Sequence, residues 1–567
     1  MAERVVRLGT LLAVAISLLV VRLIHLQLIQ GGRYRQLAEQ NRLRLVPDQA
    51  PRGLVTDRRG RVLAGSQTIF RLTVVPQDVE DFAAVFTTLS SYVRRSPEQL
   101  RDTFRQARSL AFLPATVVSR VPKETALRLE EARWRLPGVL VKPETVRRYP
   151  MGQTAAHLLG YLSEPTPEEL PVLKAYGVRQ TPLVGRMGLE RSLDHMLRGR
   201  PGGVMVEVNN RARQVRVVGR RLPEPGAQIA LTVDGSLQSL IEQAFGDQPG
   251  AGVVLDPDSG EVLAMVSVPA FPPEAFSSME TASVRRLLAD TRAPLLNRAT
   301  MGVYQPGSIM KLVTAAAALE HRLVTPSTTV VCPGAVTIGD RTFHCWNRDG
   351  HGPMTLTEAL MQSCNVYFIQ VGRRLGSARL LAAMERVGVS HRTGWPLAVE
   401  ERAGHLPRRR LTQGEVGLLA IGQGEILVTP LQAAILAAAF ANGGTLVEPW
   451  VVSVVGEHAV SHPAPRRRIE WAADTLEVVR RGMREVVRHP HGTGIRAASP
   501  RVSIAGKTGT AQTGDEEPPH GWFIGFCPVD RPRAALAVVA EHGGSGGALP
   551  AEIAKAICEY VTAPETL

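Results

Sequence analysis

Ser308 and Lys311 stand three residues apart in the stretch YQPGSIMKLVTAAAALE, residues 304–320. Pro306-Gly307 interrupts what precedes, and the alanine-rich run that follows favours a helix. Positions i and i+3 share a helix face, so this spacing predicts that Lys311 Nζ reaches Ser308 Oγ. A serine in the first turn also meets the positive end of the helix dipole. The apolar neighbours Leu312 and Val313 would desolvate the amine and lower its pKa, as a general base requires. Composition sharpens the point, because only six of the 66 Lys and Arg residues are lysines: Lys123, Lys142, Lys174, Lys311, Lys507 and Lys555. Arginine stays protonated in proteins, whereas a desolvated lysine can act as a base.

A lone S-x-x-K arises by chance, but two further elements follow it. QSCNVYF places Ser363 and Asn365 on either side of Cys364 near a helix start, and AGKTGTAQ places Lys507, Thr508, Gly509 and Thr510 on a strand. The glycine would give a substrate backbone close approach, and the threonine hydroxyls and the lysine can hold a carboxylate. The order S-x-x-K, S-x-N, K-T-G, at separations of 55 and 144 residues, is the motif set of acyl-transferring enzymes that attack an amide through serine.

Cys332, Cys345 and Cys364 fall within 33 residues, with His344 and His351 between them. Three thiolates and an imidazole suit tetrahedral zinc, so Cys332, Cys345, His351 and Cys364 are expected to form a structural site. A Cys332–Cys345 disulfide and plain buried thiols are the alternatives. Cys527, in a strand, and Cys558, on the last helix, are expected to be core residues.

These groups need a frame. At 567 residues the chain exceeds one ordinary core. The pattern divides it into an N-terminal stub and anchor (1–30), a non-catalytic module (31–228) and a catalytic domain (229–567). Leu8–Ile29 is apolar apart from Arg22 and about as long as a bilayer core requires. Arg4 and Arg7 before it favour a cytoplasmic N-terminus. No small-x-small cleavage site follows; the chain runs on into an amphipathic segment through Gln40, so an uncleaved single-span anchor is expected. The formal charge of +14 comes without a nucleic-acid motif and fits solubility and anionic surfaces. The second region mixes strands and helices, with two strands around Asp57-Arg58-Arg59-Gly60, a helical 95–135 and a helix over GLERSLDHMLRGRPGG. In the third, GAGVVLDPDSGEVLAMVSVPAF predicts a hairpin, RVSIAGKTGTAQ, HGWFIGFCPV and RAALAVVAEHGG predict strands, and a last helix starts near Pro550. Strands at both ends of a helical middle imply an α/β fold, an antiparallel sheet flanked by helices with a helical subdomain inserted.

Over nearly its whole length the chain resembles a class B penicillin-binding protein, more narrowly the elongation-type penicillin-binding protein 2. The stretches that carry this are PRGLVTDRRGRVLA, RRYPMGQTAAHLLGYL, GLERSLDHMLRGRPGG, VEVNNRARQV, LLNRATMGVYQPGSIMK and AIGQGEILVTPLQ. The resemblance implies a membrane anchor, an elongated α+β pedestal and a D,D-transpeptidase domain that crosslinks peptidoglycan stem peptides outside the membrane, without a catalytic cofactor. It further implies that Ser308 attacks the D-Ala–D-Ala carbonyl and that Lys311 takes its proton. Ser363 relays a proton to the departing D-alanine, Asn365 orients Lys311 and the substrate amide, and Lys507 supports the proton network. Thr508 and Thr510 hold the terminal carboxylate beside Gly509, and an amine of a neighbouring stem peptide releases the acyl-enzyme. β-Lactams would acylate Ser308 by the same route, and a glycosyltransferase of the SEDS family, RodA type, is the implied partner. A division-type relative, a membrane-anchored β-lactamase or β-lactam sensor, and an idle scaffold are the alternatives. A lactamase lacks a placeable deacylating glutamate here and leaves residues 31–225 unexplained.

Overall fold

The structure, a computed structural model, describes residues 2–34, 43–108, 114–171, 183–208, 214–278, 281–397, 401–461, 467–512, 514 and 517–564. The amphipathic continuation past Tyr34 and the pair Asn209-Asn210 lie outside these. An N-terminal helix, Ala2–Ile24, continues through a wider turn at His25–Ile29. Val6–Ile29 is long and apolar enough to cross a membrane, and its apolar window is unburied among the described residues. The shorter apolar helix Pro430–Ala441 is instead buried along its length.

Between Leu43 and Leu231 the chain is mixed. Asp57 organises the expected turn, its Oδ1 accepting from the backbone N of Arg59 and Arg61 at 2.9 and 2.8 Å. The strand that leaves it, Val62–Val74, pairs with Val139–Arg148 and, over its far half, with Ala115–Val121. Residues 95–135 are therefore not uniformly helical: helices Pro97–Ala107 and Lys123–Glu131 flank the strand Ala115–Val121. Its sequence ATVVSRV is rich in β-branched residues, and Val117 and Val118 are buried, so packing on a pleated surface wins over helix. The helix expected over GLERSLDHML likewise divides, into Gly188–Ser192 and Asp194–Leu197. Glu190 and Asp194 are drawn into a buried ionic cluster there. Arg52 contacts Glu190 at 2.6 Å and Asp194 at 2.7 Å, and Arg147 contacts Glu190 at 2.7 Å.

The remainder is built on a five-stranded sheet in the order Val262–Val268, Gly250–Leu255, Ala534–Ala540, His520–Cys527, Ala505–Ala511, antiparallel throughout. Helices Gly235–Phe245 and Leu549–Thr562 cover one face through Leu237, Ile241, Ile553 and Ile557. The buried helix Pro430–Ala441 and the helix Lys311–Glu320 belong to the core on the other. Covered on both faces, the inner strands are apolar runs without alternation, as AALAVVA shows. The helical segments between Val268 and Ala505 form the expected insertion. Asp234 joins the two regions: it caps the Gly235–Phe245 helix, pairs with Arg59 and Arg61 at 3.0 and 3.1 Å, and accepts from Tyr560 OH at 3.1 Å. Cys527 and Cys558 are buried as expected, but they are also bonded to each other, tying the fourth strand to the last helix. Their separation of 31 residues offers no pairing signal in the sequence.

Candidate active site

Ser308 sits in a single tight turn, Gly307–Met310, that feeds the helix Lys311–Glu320. Gly307 makes that turn possible. Its φ is +56°, and a Cβ there would lie 2.7 Å from the carbonyl oxygen of Thr510. Its N–H donates to Gly422 O at 2.9 Å, and Trp522 Nε1 donates to Gln305 O at 3.1 Å, so the loop bearing Ser308 is fixed from two sides. Behind it, Tyr304 OH donates to Glu541 at 2.6 Å, and Glu541 is paired with Arg298 at 2.8 Å.

Lys311 is fully buried. Its Nζ donates to Asn365 Oδ1 at 2.7 Å, Ser363 O at 2.8 Å and Ser363 Oγ at 3.3 Å. The expected hydrogen bond to Ser308 Oγ is absent among the described residues. The amine is drawn instead to a carbonyl and an amide oxygen that burial makes strong acceptors. Burial also pushes the Lys311 ammonium down to about 8, although Cys364 and Cys345 nearby favour its charge. Lys507, equally buried, donates to Ser363 Oγ at 2.9 Å and Thr508 O at 3.0 Å. Burial, and then the proximity of Lys311, hold its pKa well below the usual lysine range. One serine hydroxyl thus lies between two buried amines.

Ser363 reaches that position with φ of +54°, a left-handed conformation unusual for a residue other than glycine. It lies between the helices Leu356–Met361 and Asn365–Arg386, and the Cys364 N–H bonds Ala359 O at 2.9 Å. Asn365 Nδ2 donates to His344 O at 3.2 Å, which orients the amide so that its oxygen faces Lys311.

Lys507–Thr510 lie on the edge strand Ala505–Ala511, as expected. Thr508 is buried and shares a 2.7 Å hydrogen bond with Thr493, while Thr510 is exposed and its carbonyl accepts from Gln423 Nε2 at 3.3 Å. A Cβ at Gly509 would sit 2.9 Å from Pro306 O and 3.0 Å from Trp522 Cβ, so the glycine lets this strand approach the Ser308 loop closely. Thr493, Gln423 and the Tyr304–Glu541–Arg298 chain were not singled out in the sequence. Only the Gly-rich turn around Thr493 and the position of Tyr304 four residues before Ser308 offered a signal.

The cysteine cluster forms behind this wall. One ligand atom each from Cys332, Cys345, His351 and Cys364 lies within 4.8 Å of the others. His351 Nδ1 stands 3.5 and 3.6 Å from the sulfurs of Cys332 and Cys345. All three thiols are free, so the alternative Cys332–Cys345 disulfide is not formed. Hydrogen bonding from Cys364 holds the Cys345 thiol well below its usual range, while the same contact and burial push Cys364 up. Backbone N–H groups of Asn365 and Tyr367 point at Cys345 and Cys364, each at 3.4 Å.

Residues 250–559 match the model of the penicillin binding protein transpeptidase domain, and residues 47–231 that of the penicillin-binding protein dimerisation domain. The chain belongs to the penicillin-binding protein transpeptidase family. It is 32% identical to the peptidoglycan D,D-transpeptidase MrdA of Escherichia coli K12, over 96% of this chain and 91% of that one. Among solved structures it is similar to penicillin-binding protein 2 of Helicobacter pylori in complex with MreC, with TM-score 0.76 and 27% identity, covering 91% of this chain and 99% of that one. It is likewise similar to a chain from a peptidoglycan synthase complex that coordinates polymerization and crosslinking, with TM-score 0.75 and 30% identity, covering 100% and 99%.

Lys311 can take a proton only when neutral, so its charged form is inactive as a base and its neutral form grows as pH rises. The rate of Ser308 acylation by benzylpenicillin is expected to rise through a midpoint near pH 8, following the lowered Lys311 pKa. A profile flat from about pH 6.5 to 9.5 would contradict that role.

Proposed function

We infer that this protein is an elongation-type peptidoglycan D,D-transpeptidase, a membrane-anchored serine enzyme that works through an acyl-enzyme. The observation that carries the reading is the Ser363 hydroxyl held between Lys311 and Lys507 beside the Ser308 turn. Ser308 Oγ attacks the penultimate D-alanine carbonyl and its proton passes to Lys311. Ser363, fed by Lys507, delivers a proton to the nitrogen of the leaving D-alanine. Asn365 fixes the Lys311 amine, and Thr508 and Thr510 receive the terminal carboxylate. The backbone N–H groups of Ser308 and Thr510 cradle the oxyanion, at about 3 kcal/mol per donor. An amine of a second stem peptide then takes the acyl group.

The division of labour follows the three regions: anchor 1–30, pedestal 31–228 and transpeptidase 229–567. Arg4 and Arg7 favour a cytoplasmic N-terminus and an extracytoplasmic catalytic domain. The pedestal is the docking module for a polymerase of the RodA type, a reading supported by the similarity to a synthase-complex chain. Polymerase activity in a coexpressed pair is expected to fall when the pedestal is deleted; equal activity would remove the docking role.

Zinc is the metal we assign to Cys332, Cys345, His351 and Cys364. Tetrahedral Zn–S bonds of about 2.3 Å place ligand atoms roughly 3.5–3.8 Å apart, close to the His351 contacts. His351 Nδ1 would be the imidazole ligand, and the ion would tie the 332–351 segment to the helix that starts at Asn365. Its part is structural, with no step of the acyl transfer passing through it.

Two measurements test these readings. Intact-protein mass spectrometry after penicillin is expected to show one adduct, mapping to Ser308 and lost in Ser308→Ala, with folding preserved; full labelling of that variant would reject the nucleophile. Elemental analysis is expected to find about one zinc per chain without added metal. Cys345→Ser should then lower thermal stability and acylation rate together. Protein that contains no zinc and keeps both properties in Cys345→Ser would remove the site.

A further inference from the structure

The transpeptidase region carries one cysteine pair already bonded, Cys527–Cys558, beside the three free thiols of Cys332, Cys345 and Cys364. Disulfides form and persist in oxidising surroundings, so the free thiols meet the same conditions. Their sulfurs lie within 4.8 Å of one another, whereas a disulfide needs about 2.05 Å. A shift of no more than about 3 Å therefore bonds any two of them.

Burial shields them only thinly. Cys332 lies between Val331 and Pro333, and Cys345 between His344 and Trp346; all four neighbours are exposed. Two two-stranded pairings hold this segment, Val330–Cys332 with Gly352–Met354 and Ala335–Ile338 with Arg341–His344. Such ribbons are marginal on their own and open locally at low cost. A cover of this kind admits a molecule the size of hydrogen peroxide.

The pair Cys345 and Cys364 bears directly on the acylating groups. Cys345 Sγ accepts from the N–H of Asn365, the residue after Cys364, at 3.4 Å. Cys364 Sγ accepts from Tyr367 N at 3.4 Å and caps the helix Asn365–Arg386. His344, next to Cys345, accepts from Asn365 Nδ2 at 3.2 Å, and Asn365 Oδ1 holds Lys311 Nζ at 2.7 Å. On the other side of Cys364, Ser363 keeps its φ of +54° between the two lysines. Drawing the two sulfurs together breaks these caps and displaces Ser363 and Asn365 with them.

We propose that Cys345 and Cys364 form an oxidation site, a dithiol that hydrogen peroxide closes to a disulfide when the four-ligand cluster holds no metal, disabling acylation of Ser308. The protection rests on the zinc assignment above, and the effect on acylation rests on the transpeptidase reading. The Cys345 thiolate attacks one peroxide oxygen; the S–O bond forms as the O–O bond breaks and hydroxide leaves. The Cys364 thiolate then attacks the Cys345 sulfur, the S–S bond forms and a second hydroxide leaves. Two electrons pass from the sulfurs to the peroxide, and the two thiol protons convert both hydroxides to water. Metal coordination engages the same sulfur lone pairs, so the loaded cluster is expected to resist the first attack.

The test uses the full-length protein in detergent, as a zinc-loaded sample and as one stripped with a chelator that is then removed. Elemental analysis fixes the zinc content of each. Both are exposed to hydrogen peroxide, the remaining thiols are alkylated, and tryptic peptides are mapped without reduction. Cleavage after Arg322, Arg341, Arg348 and Arg373 puts Cys332, Cys345 and Cys364 on separate peptides, 323–341, 342–348 and 349–373. The stripped sample is expected to link 342–348 to 349–373. Its penicillin acylation rate, compared with the same stripped protein before peroxide, should fall roughly tenfold to a hundredfold and return with dithiothreitol, as a displacement of about 1 Å implies. The zinc-loaded sample should stay unlinked and active.

Three free thiols in the stripped sample, a link from 323–341 to 342–348 instead, or the expected link with unchanged acylation overturns the site. Equal linking in the zinc-loaded sample overturns the protection. Protein that takes up no zinc, yet forms the link and loses acylation, counts against the zinc assignment and leaves the oxidation site standing. Absence of acylation before any peroxide counts against the transpeptidase reading, while the peptide map still decides the link.

Discussion

Two lysine amines buried around one serine hydroxyl set the constraint on which the rest of the site depends. Ser363 Oγ stands 3.3 Å from Lys311 Nζ and 2.9 Å from Lys507 Nζ, with both lysines removed from solvent. Two full charges there would face desolvation and mutual repulsion together, so the pair is pushed toward sharing protons rather than holding two. A trio so constrained can pass a proton among its members, as the proposed mechanism requires. It works only if other polar groups leave no amine hydrogen unsatisfied, which Asn365 Oδ1, Ser363 O and Thr508 O provide.

Holding the hydroxyl there has a backbone cost. A left-handed non-glycine residue such as Ser363 is disfavoured by about 1–3 kcal/mol and persists only where its surroundings enforce it. The enforcement comes from the turn between two helices, from Trp346 Nε1 donating to Gln362 O at 2.8 Å, and from the cysteine cluster packed behind Cys364. Since Cys364 lies between Ser363 and Asn365, whatever fixes its sulfur fixes both polar neighbours. On the opposite side, the edge strand presses on the Ser308 loop through Gly509 and Gly307, where any larger residue would push the Lys507 strand and that loop apart.

Much of this was legible in the residues. The three motifs picked out side chains that the fold brings together around Ser363, and the four potential metal ligands converge because thiols spaced along a short loop region can close on one point. The hairpin at Asp256–Gly260 and the sheet built from both chain regions followed from turn residues and apolar runs. What escaped were pairings that only the tertiary fold creates. Cys527 and Cys558 each resembled a core residue, and nothing local to either announced the bond. The strand Ala115–Val121 was hidden among arginine-rich helical neighbours, and its partner lies more than 40 residues upstream. The direction of Lys311, toward Ser363 rather than Ser308, was decided by acceptors 52 and 54 residues away that a local helical spacing cannot see.

The mechanism depends on burial lowering the Lys311 pKa to about 8, so that a minority of the amine is neutral near pH 7 and the neutral fraction grows as pH rises. Its most direct test is a titration of the lysine side chains themselves, by NMR of protein labelled at lysine Cε, with Lys311 assigned by the loss of its resonance in Lys311→Arg. With only six lysines in the chain the spectrum is tractable. The account predicts a midpoint near 8 for Lys311 and one below the ordinary lysine range for Lys507. Midpoints for both at or above the ordinary value of about 10.4 would contradict it.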